Sequence, residues 1–531
     1  MKERTAVALA LLGQGCMLSD EWTQHFDADN DEFYTFDDAS GEYDCNDNNS
    51  AIHPGATEVC DFVDNDCDGD SDTLNVPDGA HYDAVCDGEM EVITISDDPS
   101  WLIKDGGELV ALAVAADATA DGLPDALVGV PDAAAGDGAV WLVSGDPGGE
   151  TMGGSGFALS GPAGSLGGSV SADDLDGDGR TDLVVGAPTS AGETGDAEGA
   201  VALWWGDAAL AEGAEPDLVL EGLNGFGSSS VILTDGEGGA WLAVGSPDWN
   251  VEGSGAVVVT TMSTTGLLEL PLGSTATASN LTGASLILSG TSQSAGADVL
   301  ASADLNADGS SDLLVSAFGS DGFSDVSYVA VFLAALGGPA GAEDASFQTL
   351  NDADCLIGIQ GQSSEGMTVA SNLSWDWDGD GADDIAFGLP AAEAGAGTVY
   401  IRAGSIYTSE STTCSYTIED SFDVRLRGPS DGAFGQSLTA LQQDDGRDVL
   451  AVAGAEGQGN AWVFSPEGFS RADVSLDQVH GPGVRVLIAD AAGVRGPAGL
   501  ASWPGGARGL LIASSLPEGQ TGLGLVWPAL P

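Results

Sequence analysis

Basic residues are scarce in this chain of 531 residues. Its 12 lysines and arginines stand against 84 aspartates and glutamates, and the formal net charge is −72 at pH 7. Nucleic acids and anionic lipid headgroups are bound mainly through lysine and arginine, and an acidic surface repels them. The composition therefore excludes DNA and RNA as partners. It favours a solvated acidic shell that resists aggregation in salty surroundings.

Histidines, catalytic motifs and long apolar runs are also in short supply. Of the four histidines, only His480 lies beyond residue 91. The chain has no G-x-S-x-G elbow, no Walker loop and no H-E-x-x-H pair, which are typical of hydrolases, nucleotide-binding proteins and zinc proteases. No run approaches the roughly 18 apolar residues of a membrane-spanning helix. We therefore expect no catalytic residues, no enzyme activity and no membrane-spanning segment.

The seven cysteines are distributed in a way that indicates export. The chain starts with Met-Lys-Glu-Arg, an apolar run over residues 5–12 and then Gly15-Cys16, which is typical of a bacterial export signal ending in a lipobox. Residues 1–16 are predicted to be this signal, with Cys16 lipidated; a plain signal peptide and a buried thiol are the alternatives. The other cysteines would make three disulfides in an oxidising compartment. These candidates are Cys45, Cys60, Cys67, Cys86, Cys355 and Cys414.

A nine-residue acidic loop recurs along the chain. In its clearest copy, residues 174–182, aspartate occupies the first, third, fifth and ninth positions and glycine the sixth. Alternate carboxylates can converge on one hard cation while the glycine makes the sharp turn, as in calcium loops. We predict calcium sites in four such loops, 117–125, 174–182, 304–312 and 376–384, and a related site at 64–72. The candidate ligands are Asp117, Thr119, Asp121, Leu123, Asp125, Asp174, Asp176, Asp178, Arg180, Asp182, Asp304, Asn306, Asp308, Ser310, Asp312, Asp376, Asp378, Asp380, Ala382, Asp384, Asp64, Asp66, Asp68, Asp70 and Asp72.

The loops belong to a longer repeat. After the ninth residue comes an apolar run, a small-residue turn that often ends in proline, a glycine-rich stretch and a second apolar run. Runs of β-branched and aromatic residues bounded by glycine and proline predict strands joined by hairpins. Seven copies spaced about 60 to 70 residues apart indicate a stacked repeat. The copies begin at Asp125, Asp182, Trp241, Asp312, Asp384, Val449 and Gly509.

Two short elements of this repeat identify a family resemblance. A Phe-Gly element appears as Phe226-Gly227 and Phe434-Gly435, and a Gly-Ala-Pro element as Gly186-Ala187-Pro188. The chain from 91 to 531 therefore resembles the FG-GAP repeats of the integrin α-subunit. The resemblance implies an all-β fold, a seven-bladed β-propeller of the integrin α N-terminal type, with calcium in the four intact loops. Copies three, six and seven depart from the pattern, because their acidic loops are truncated or missing.

Residues 17–90 form a different module, rich in aspartate and cysteine. Its centre, from Asp44-Cys45 through Cys60 to Asp72, resembles the metal-binding motif of secreted bacterial proteins of the MopE type. The oxygen ligands favour calcium, so we expect one or more further ions here, while His25, His53 and His81 leave a softer metal open. Such a small module has little hydrophobic core, so disulfides and metal are expected to stabilise it.

The sequence also predicts three packing features. An N-terminal strand at residues 92–95 is expected to close the propeller ring on the strand at 525–527. Four tryptophans, Trp204, Trp205, Trp375 and Trp377, are expected to pack between blades, with a sugar-binding face as the alternative. Cys355 and Cys414 lie about one repeat apart and would pair across neighbouring blades; two unpaired buried cysteines are the alternative.

Together these features predict a non-catalytic, calcium-binding protein of the bacterial cell envelope. We expect an outer-membrane lipoprotein or cell-surface protein, or otherwise a secreted one, which touches the membrane only through its lipid anchor. Its propeller would mediate adhesion by binding an extracellular protein or glycan. The alternatives are an envelope hydrolase acting on a glycan or phosphodiester, and a metal-acquisition protein whose active part is the N-terminal module.

Overall fold

The computed structural model divides the chain into two units, Met1–Met90 with His480–Pro482, and Glu91–Val479 with Gly483–Pro531. The first unit is described only at residues 53–54, so the predictions for Cys16, for the first four disulfide candidates and for the 64–72 loop lie outside the described residues. The described residues are 53–54, 93–95, 101–103, 111–145, 152–191, 199–206, 209–222, 225–236, 239–251, 254–262, 274–277, 285–289, 294–320, 325–333, 347–349, 353–360, 368–370, 375–404, 414–418, 422–428, 433–442, 448–454, 460–464, 472–475, 484–489, 497–503, 509–516 and 520–526.

Within the described residues of the second unit, short strands account for almost all the regular structure, apart from a 3₁₀ turn at Ala134–Gly136 and one helical turn at Ala392–Gly395. The prediction of an all-β fold is confirmed. The strands are β1 Ile93–Ile95, β2 Trp101–Ile103, β3 Ala111–Ala115, β4 Asp125–Val130, β5 Ala139–Gly145, β6 Met152–Leu159, β7 Val170–Asp173, β8 Asp182–Ala187, β9 Ala200–Trp204, β10 Leu218–Glu221, β11 Ser230–Thr234, β12 Ala240–Val251, β13 Ser254–Met262, β14 Ser274–Thr277, β15 Ser285–Ser289, β16 Ser294–Ala303, β17 Asp312–Ser320, β18 Asp325–Phe332, β19 Phe347–Thr349, β20 Cys355–Gln360, β21 Thr368–Ala370, β22 Ile385–Leu389, β23 Thr398–Arg402, β24 Cys414–Thr417, β25 Val424–Arg427, β26 Ser437–Gln442, β27 Asp448–Ala453, β28 Asn460–Phe464, β29 Ala472–Ser475, β30 Val484–Ala489, β31 Pro497–Trp503, β32 Gly509–Leu516 and β33 Gln520–Val526.

The described strands form a β-propeller in which four strands of each sheet make an up-and-down antiparallel ribbon. Each repeat contributes its first three strands, and usually a fourth, to one sheet. Five sheets have five strands and two have four. The strand orders are β3-β4-β5-β6, β14-β10-β9-β8-β7, β11-β12-β13-β15-β19, β16-β17-β18-β20-β24, β21-β22-β23-β25-β29, β1-β30-β28-β27-β26 and β2-β33-β32-β31.

The fifth strands are a feature that sequence reasoning missed. Each fifth strand pairs in parallel with the outermost strand of a sheet, as β14 does with β10 and β24 with β20. Except for β1, it comes from the connection between the third and fourth strands of the following sheet; β14, for example, lies between β13 and β15. Each such connection therefore ties one blade to the next.

Ring closure uses two N-terminal strands rather than one. Strand β2 pairs antiparallel with β33, with Trp101 opposite Leu523, while β1 pairs in parallel with β30. The expectation that residues 92–95 close the ring on 525–527 is therefore wrong about the strand. Strands β1 and β2 follow the same rule as β29 and β30. In each pair, the first strand is the fifth strand of one sheet, and the second strand is the fourth strand of the next sheet. The last sheet thus takes its missing outer strand from the start of the domain.

The hydrophobic core lies between neighbouring sheets. Central strands are buried along their whole length, as in β4 and β8, because both faces of an inner sheet are covered. One cluster joins Leu127 and Val140 of the first sheet to Val185 and Trp204 of the second. Trp375 and Trp377 are buried, 1% and 7% exposed, and their packing between blades stays a prediction.

The Phe-Gly and Gly-Ala-Pro elements meet at a close contact between neighbouring blades. Phe226 is fully buried, and a Cβ added at Gly186 would lie 1.9 Å from the carbonyl oxygen of Gly227 in the next blade. Gly227 itself has a φ of 92° and donates its N–H to the oxygen of Gly245, 2.9 Å away. Only glycine allows this backbone approach at position 186 and this conformation at 227.

Candidate metal centre

Each intact acidic loop connects the first and second strands of its sheet, so the four loops lie at the same end of their blades. The first aspartate organises the turn by accepting backbone N–H groups. Asp174 accepts from Gly177 at 2.7 Å, Asp178 at 3.0 Å and Gly179 at 2.8 Å, and Asp376 repeats this pattern. The sixth-position glycine adopts a positive φ, 84° at Gly179. The local sequence therefore fixes the loop before any packing is considered.

The ninth aspartate is buried at the start of the second strand. Asp125, Asp182, Asp312 and Asp384 are 0%, 1%, 0% and 2% exposed. Two of them accept a long-range N–H as well as local ones, Asp182 from Gly206 and Asp384 from Gly404, both at 2.7 Å. Burial raises the pKa of Asp182 to about 6 and that of Asp384 to about 7. A neighbouring cation would favour the charged form of these carboxylates and offset the cost of burying them.

Three carboxylates converge in two of the loops. Oxygens of Asp174, Asp176 and Asp182 all lie within 4.8 Å of one another, and so do those of Asp376, Asp378 and Asp384. These are the first, third and ninth positions of each loop. In the other two loops the third position is Thr119 or Asn306, which provides a neutral oxygen instead of a third charge.

The fifth and seventh positions contribute differently. The fifth-position carboxylates lie outside these two clusters. Asp178 accepts the N–H of the seventh residue, Arg180, at 2.9 Å and forms an ion pair with its guanidinium, which lowers the pKa of Asp178. Asp380 likewise accepts the N–H of Ala382, at 2.9 Å. The seventh side chains, Leu123, Arg180, Ser310 and Ala382, share no common donor group.

The two clusters match a hard cation in their chemistry. All their potential ligands are carboxylate oxygens, which suit calcium, magnesium and manganese rather than softer metals. Hydrogen bonds from backbone N–H groups of the same loop also hold the first and ninth carboxylates in place. For example, the N–H of Leu175 donates to the carboxylate of Asp182 at 2.8 Å. The residues present therefore fit a calcium-like ion at both clusters.

The eighth loop position carries a contact that sequence reasoning missed. Its side chain accepts the N–H of a residue in the preceding blade: Thr181 from Ala116 at 3.2 Å, and Ser311 from Thr234 at 3.1 Å. Asp383 accepts from Asp304 at 2.7 Å. A polar eighth residue in three of the four loops was the available signal.

The two C-terminal cysteines occupy adjacent strands. Cys355 begins β20 and Cys414 begins β24, and the parallel register places them directly opposite each other. Cys355 is 1% exposed and disulfide-bonded.

Among the described residues, no helix is both long and apolar enough to cross a bilayer.

Comparison with known proteins agrees with the fold and the metal motifs. The FG-GAP repeat family model matches residues 166–204, which contain the second acidic loop. The Cu-binding MopE family model, which describes a metal-binding motif, matches residues 44–73.

The search of curated proteins found no match. One matching solved structure, BBS1N in complex with ARL6DN and soaked with lead, has 10% identity and a TM-score of 0.40. The match covers 83% of this chain and 98% of that one. The chain is thus a β-propeller protein that carries an FG-GAP repeat and, ahead of the propeller, a MopE-type metal-binding motif.

Proposed function

We propose that this protein is an exported, calcium-stabilised, seven-bladed propeller of the bacterial cell envelope that binds an extracellular protein or glycan and has no catalytic role. The observation that carries the proposal is the convergence of three carboxylates at equivalent positions of two loops. The seven sheets formed by the described strands support the blade number.

The proposed role of the ion is structural. Asp174, Asp176 and Asp182 would hold one ion, and Asp376, Asp378 and Asp384 another. Loops 117–125 and 304–312, which have a neutral oxygen at the third position, would each hold a further ion. A bound calcium ion supplies the positive charge that lets three close carboxylates remain ionised. Because the ninth aspartate starts the second strand and the first follows the first strand, filling the site would fix these two strands against each other.

The expected calcium affinity supports export, and the position of the acidic loops indicates which end of the blades binds a partner. Extracellular calcium modules typically bind at about 10⁻⁴ to 10⁻³ M, so such sites would be filled outside the cell and empty in a cytosol. The facing positions of Cys355 and Cys414 support pairing in an oxidising compartment. The hairpins between second and third strands lie at the opposite end of each blade from the acidic loops, and this end is our candidate surface for the partner. Lipidation of Cys16 would attach the protein to its membrane.

Calcium titration by calorimetry tests the proposal. We expect the chain without residues 1–16 to bind calcium, and Asp182→Ala and Asp384→Ala each to remove about one site, since each variant removes a buried member of a three-carboxylate cluster. Asp137→Ala is the matched control, because this aspartate is exposed and lies in a turn outside the loops. Equal heats for all four proteins, or no calcium binding, would contradict the proposal.

The match of the MopE-type model to residues 44–73 favours a second candidate, metal acquisition by the N-terminal module. This candidate predicts that the full chain binds copper in the presence of excess calcium, and that Asp66→Ala weakens copper binding while Asp182→Ala does not. Equal copper binding by the Asp66 variant and the unmodified protein would refute it.

A further inference from the structure

Loops 304–312 and 376–384, on neighbouring blades, are joined by a pair of hydrogen bonds. The N–H of Asp304 donates to Oδ2 of Asp383 at 2.7 Å, and the N–H of Asp383 donates to the backbone oxygen of Asp304 at 2.9 Å. Oδ1 of Asp383 accepts the N–H of Trp375 at 3.2 Å. Asp383 is 8% exposed, so this carboxylate is held between the two loops by backbone groups.

The joined residues sit next to the candidate ligands of both loops. Asp304 is the first ligand candidate of its loop, and its own carboxylate accepts the N–H groups of Asp308 and Gly309 at 2.9 and 2.8 Å. Asp383 directly precedes Asp384, the buried ninth residue of the other loop. Gly404 packs at the same junction, since a Cβ there would lie 1.8 Å from the oxygen of Asp383 and 3.1 Å from that of Leu305. A shift in the backbone of either loop would therefore strain these contacts and displace the backbone of the other.

We infer that these two loops bind their cations cooperatively, with Asp383 as the positioning residue that couples them. The inference rests on the proposed function. Drawing Asp376, Asp378 and Asp384 together fixes the backbone at 383, and the paired hydrogen bonds fix the backbone of Asp304 in turn. By linkage, occupation of either loop raises the affinity of the other by the same factor.

The other intact loops provide an internal comparison. Loops 117–125 and 174–182 are also neighbours, but there the N–H of Ala116, just before the loop, donates to the neutral hydroxyl of Thr181, at the longer distance of 3.2 Å. The contact between Ser311 and Thr234 leads to a blade whose acidic loop is truncated. The strongest coupling is therefore assigned to the pair joined by Asp383.

Terbium luminescence can follow one loop of this pair. Trp377 occupies the second position of loop 376–384, between two ligand candidates, whereas the same position holds Ala118, Leu175 or Leu305 in the other loops. Part of the tryptophan-sensitised terbium signal should therefore disappear in Trp377→Phe. This part reports terbium bound at loop 376–384. Titration of this signal measures its affinity in each variant.

The test is a double-mutant cycle read through that signal. Asp304→Ala removes a ligand of the neighbouring loop but keeps the backbone groups of the paired bonds, and we expect it to weaken terbium binding at the reporter loop about 5-fold or more. In an Asp383→Ala background the same change should have no further effect. Asp383→Asn keeps an oxygen acceptor and should preserve the coupling. Asp174→Ala, in a loop that does not adjoin the reporter, is the matched control and should leave the signal unchanged.

The outcomes separate the two proposals. Reporter affinity that is unaffected by Asp304→Ala, or lowered as much by Asp174→Ala, would overturn the cooperativity while leaving metal binding intact. Absence of any Trp377-dependent terbium signal in the unmodified protein would count against the proposed function itself. If Asp383→Ala does not fold, as judged by circular dichroism, Asp383→Asn with and without Asp304→Ala still decides whether coupling exists.

Discussion

Replacement of Gly186 by alanine is expected to destabilise the propeller strongly. The new Cβ would lie 1.9 Å from the backbone oxygen of Gly227 and 2.5 Å from Oγ of Ser169, far inside ordinary contact distance. Its nearest neighbour is backbone, so the two blades must move apart. Overpacking a close-packed site typically costs about 1 to 3 kcal/mol, and a backbone clash belongs at the upper end, about 3 kcal/mol.

Gly161→Ala is the matched control for this substitution. A Cβ at Gly161 would meet the terminal methyl groups of Leu166 at 3.0 and 3.1 Å, which can rotate away. Urea denaturation in excess calcium measures both changes, provided that the slope of free energy against urea stays constant. If Gly186→Ala shifts the unfolding free energy no more than Gly161→Ala does, the explanation of the Gly-Ala-Pro element by blade contact is wrong.

Two further predictions concern charge and covalent bonds. In excess chelator the protein should unfold at lower urea concentration at pH 8 than at pH 5. Burial raises the pKa of Asp182 to about 6 and that of Asp384 to about 7 in the folded state, above the ordinary aspartate pKa of about 3.9, so protonation stabilises the folded state and this stability is lost as pH rises through both values. Replacing both by asparagine should reduce the difference, and an unchanged difference would contradict the prediction. Cys355 and Cys414 should resist alkylation in the unreduced, denatured protein, and replacing both by alanine should cost about 4 kcal/mol in the chain-entropy model; prompt labelling of both thiols would refute the pairing.

The loops and inner strands were predictable because their signals are local. The acidic loop at 174–182 contains its own hydrogen-bond partners, and the apolar run after Asp182 has the length and composition of a buried strand. The copies that lack a complete loop were still recognised as strands by their apolar runs, as in β27 and β32.

The remaining features depend on contacts between distant segments. Strand β14 has the sequence Ser-Thr-Ala-Thr, which lacks the apolar alternation that would predict a strand. It pairs with β10, which belongs to the neighbouring blade. The N-terminal region contains two short strands, and the sequence could not say which one pairs with the last hairpin. The role of Asp383 was hidden for the same reason, since its partner Asp304 is 79 positions away.

The position of the fifth loop residue shows a different limit. Sequence spacing places Asp178 among the ligands, yet an arginine two residues later forms an ion pair with it. Asp380 has Ala382 at the corresponding place and lacks this competitor, yet it also lies outside its cluster. The spacing of carboxylates along the loop therefore predicted the site, but not which of the carboxylates converge.

The most direct test of the account is thermal unfolding of the chain without residues 1–16, in excess EGTA and in millimolar calcium. Calcium that binds only the folded state should raise the midpoint, with about 2.7 kcal/mol of stabilisation per site at a calcium concentration 100 times the dissociation constant. Changing both Asp182 and Asp384 to alanine should remove most of this rise. An equal midpoint in EGTA and calcium for the unmodified protein would mean that the acidic loops are only part of the charged surface, and would contradict the calcium-stabilised propeller.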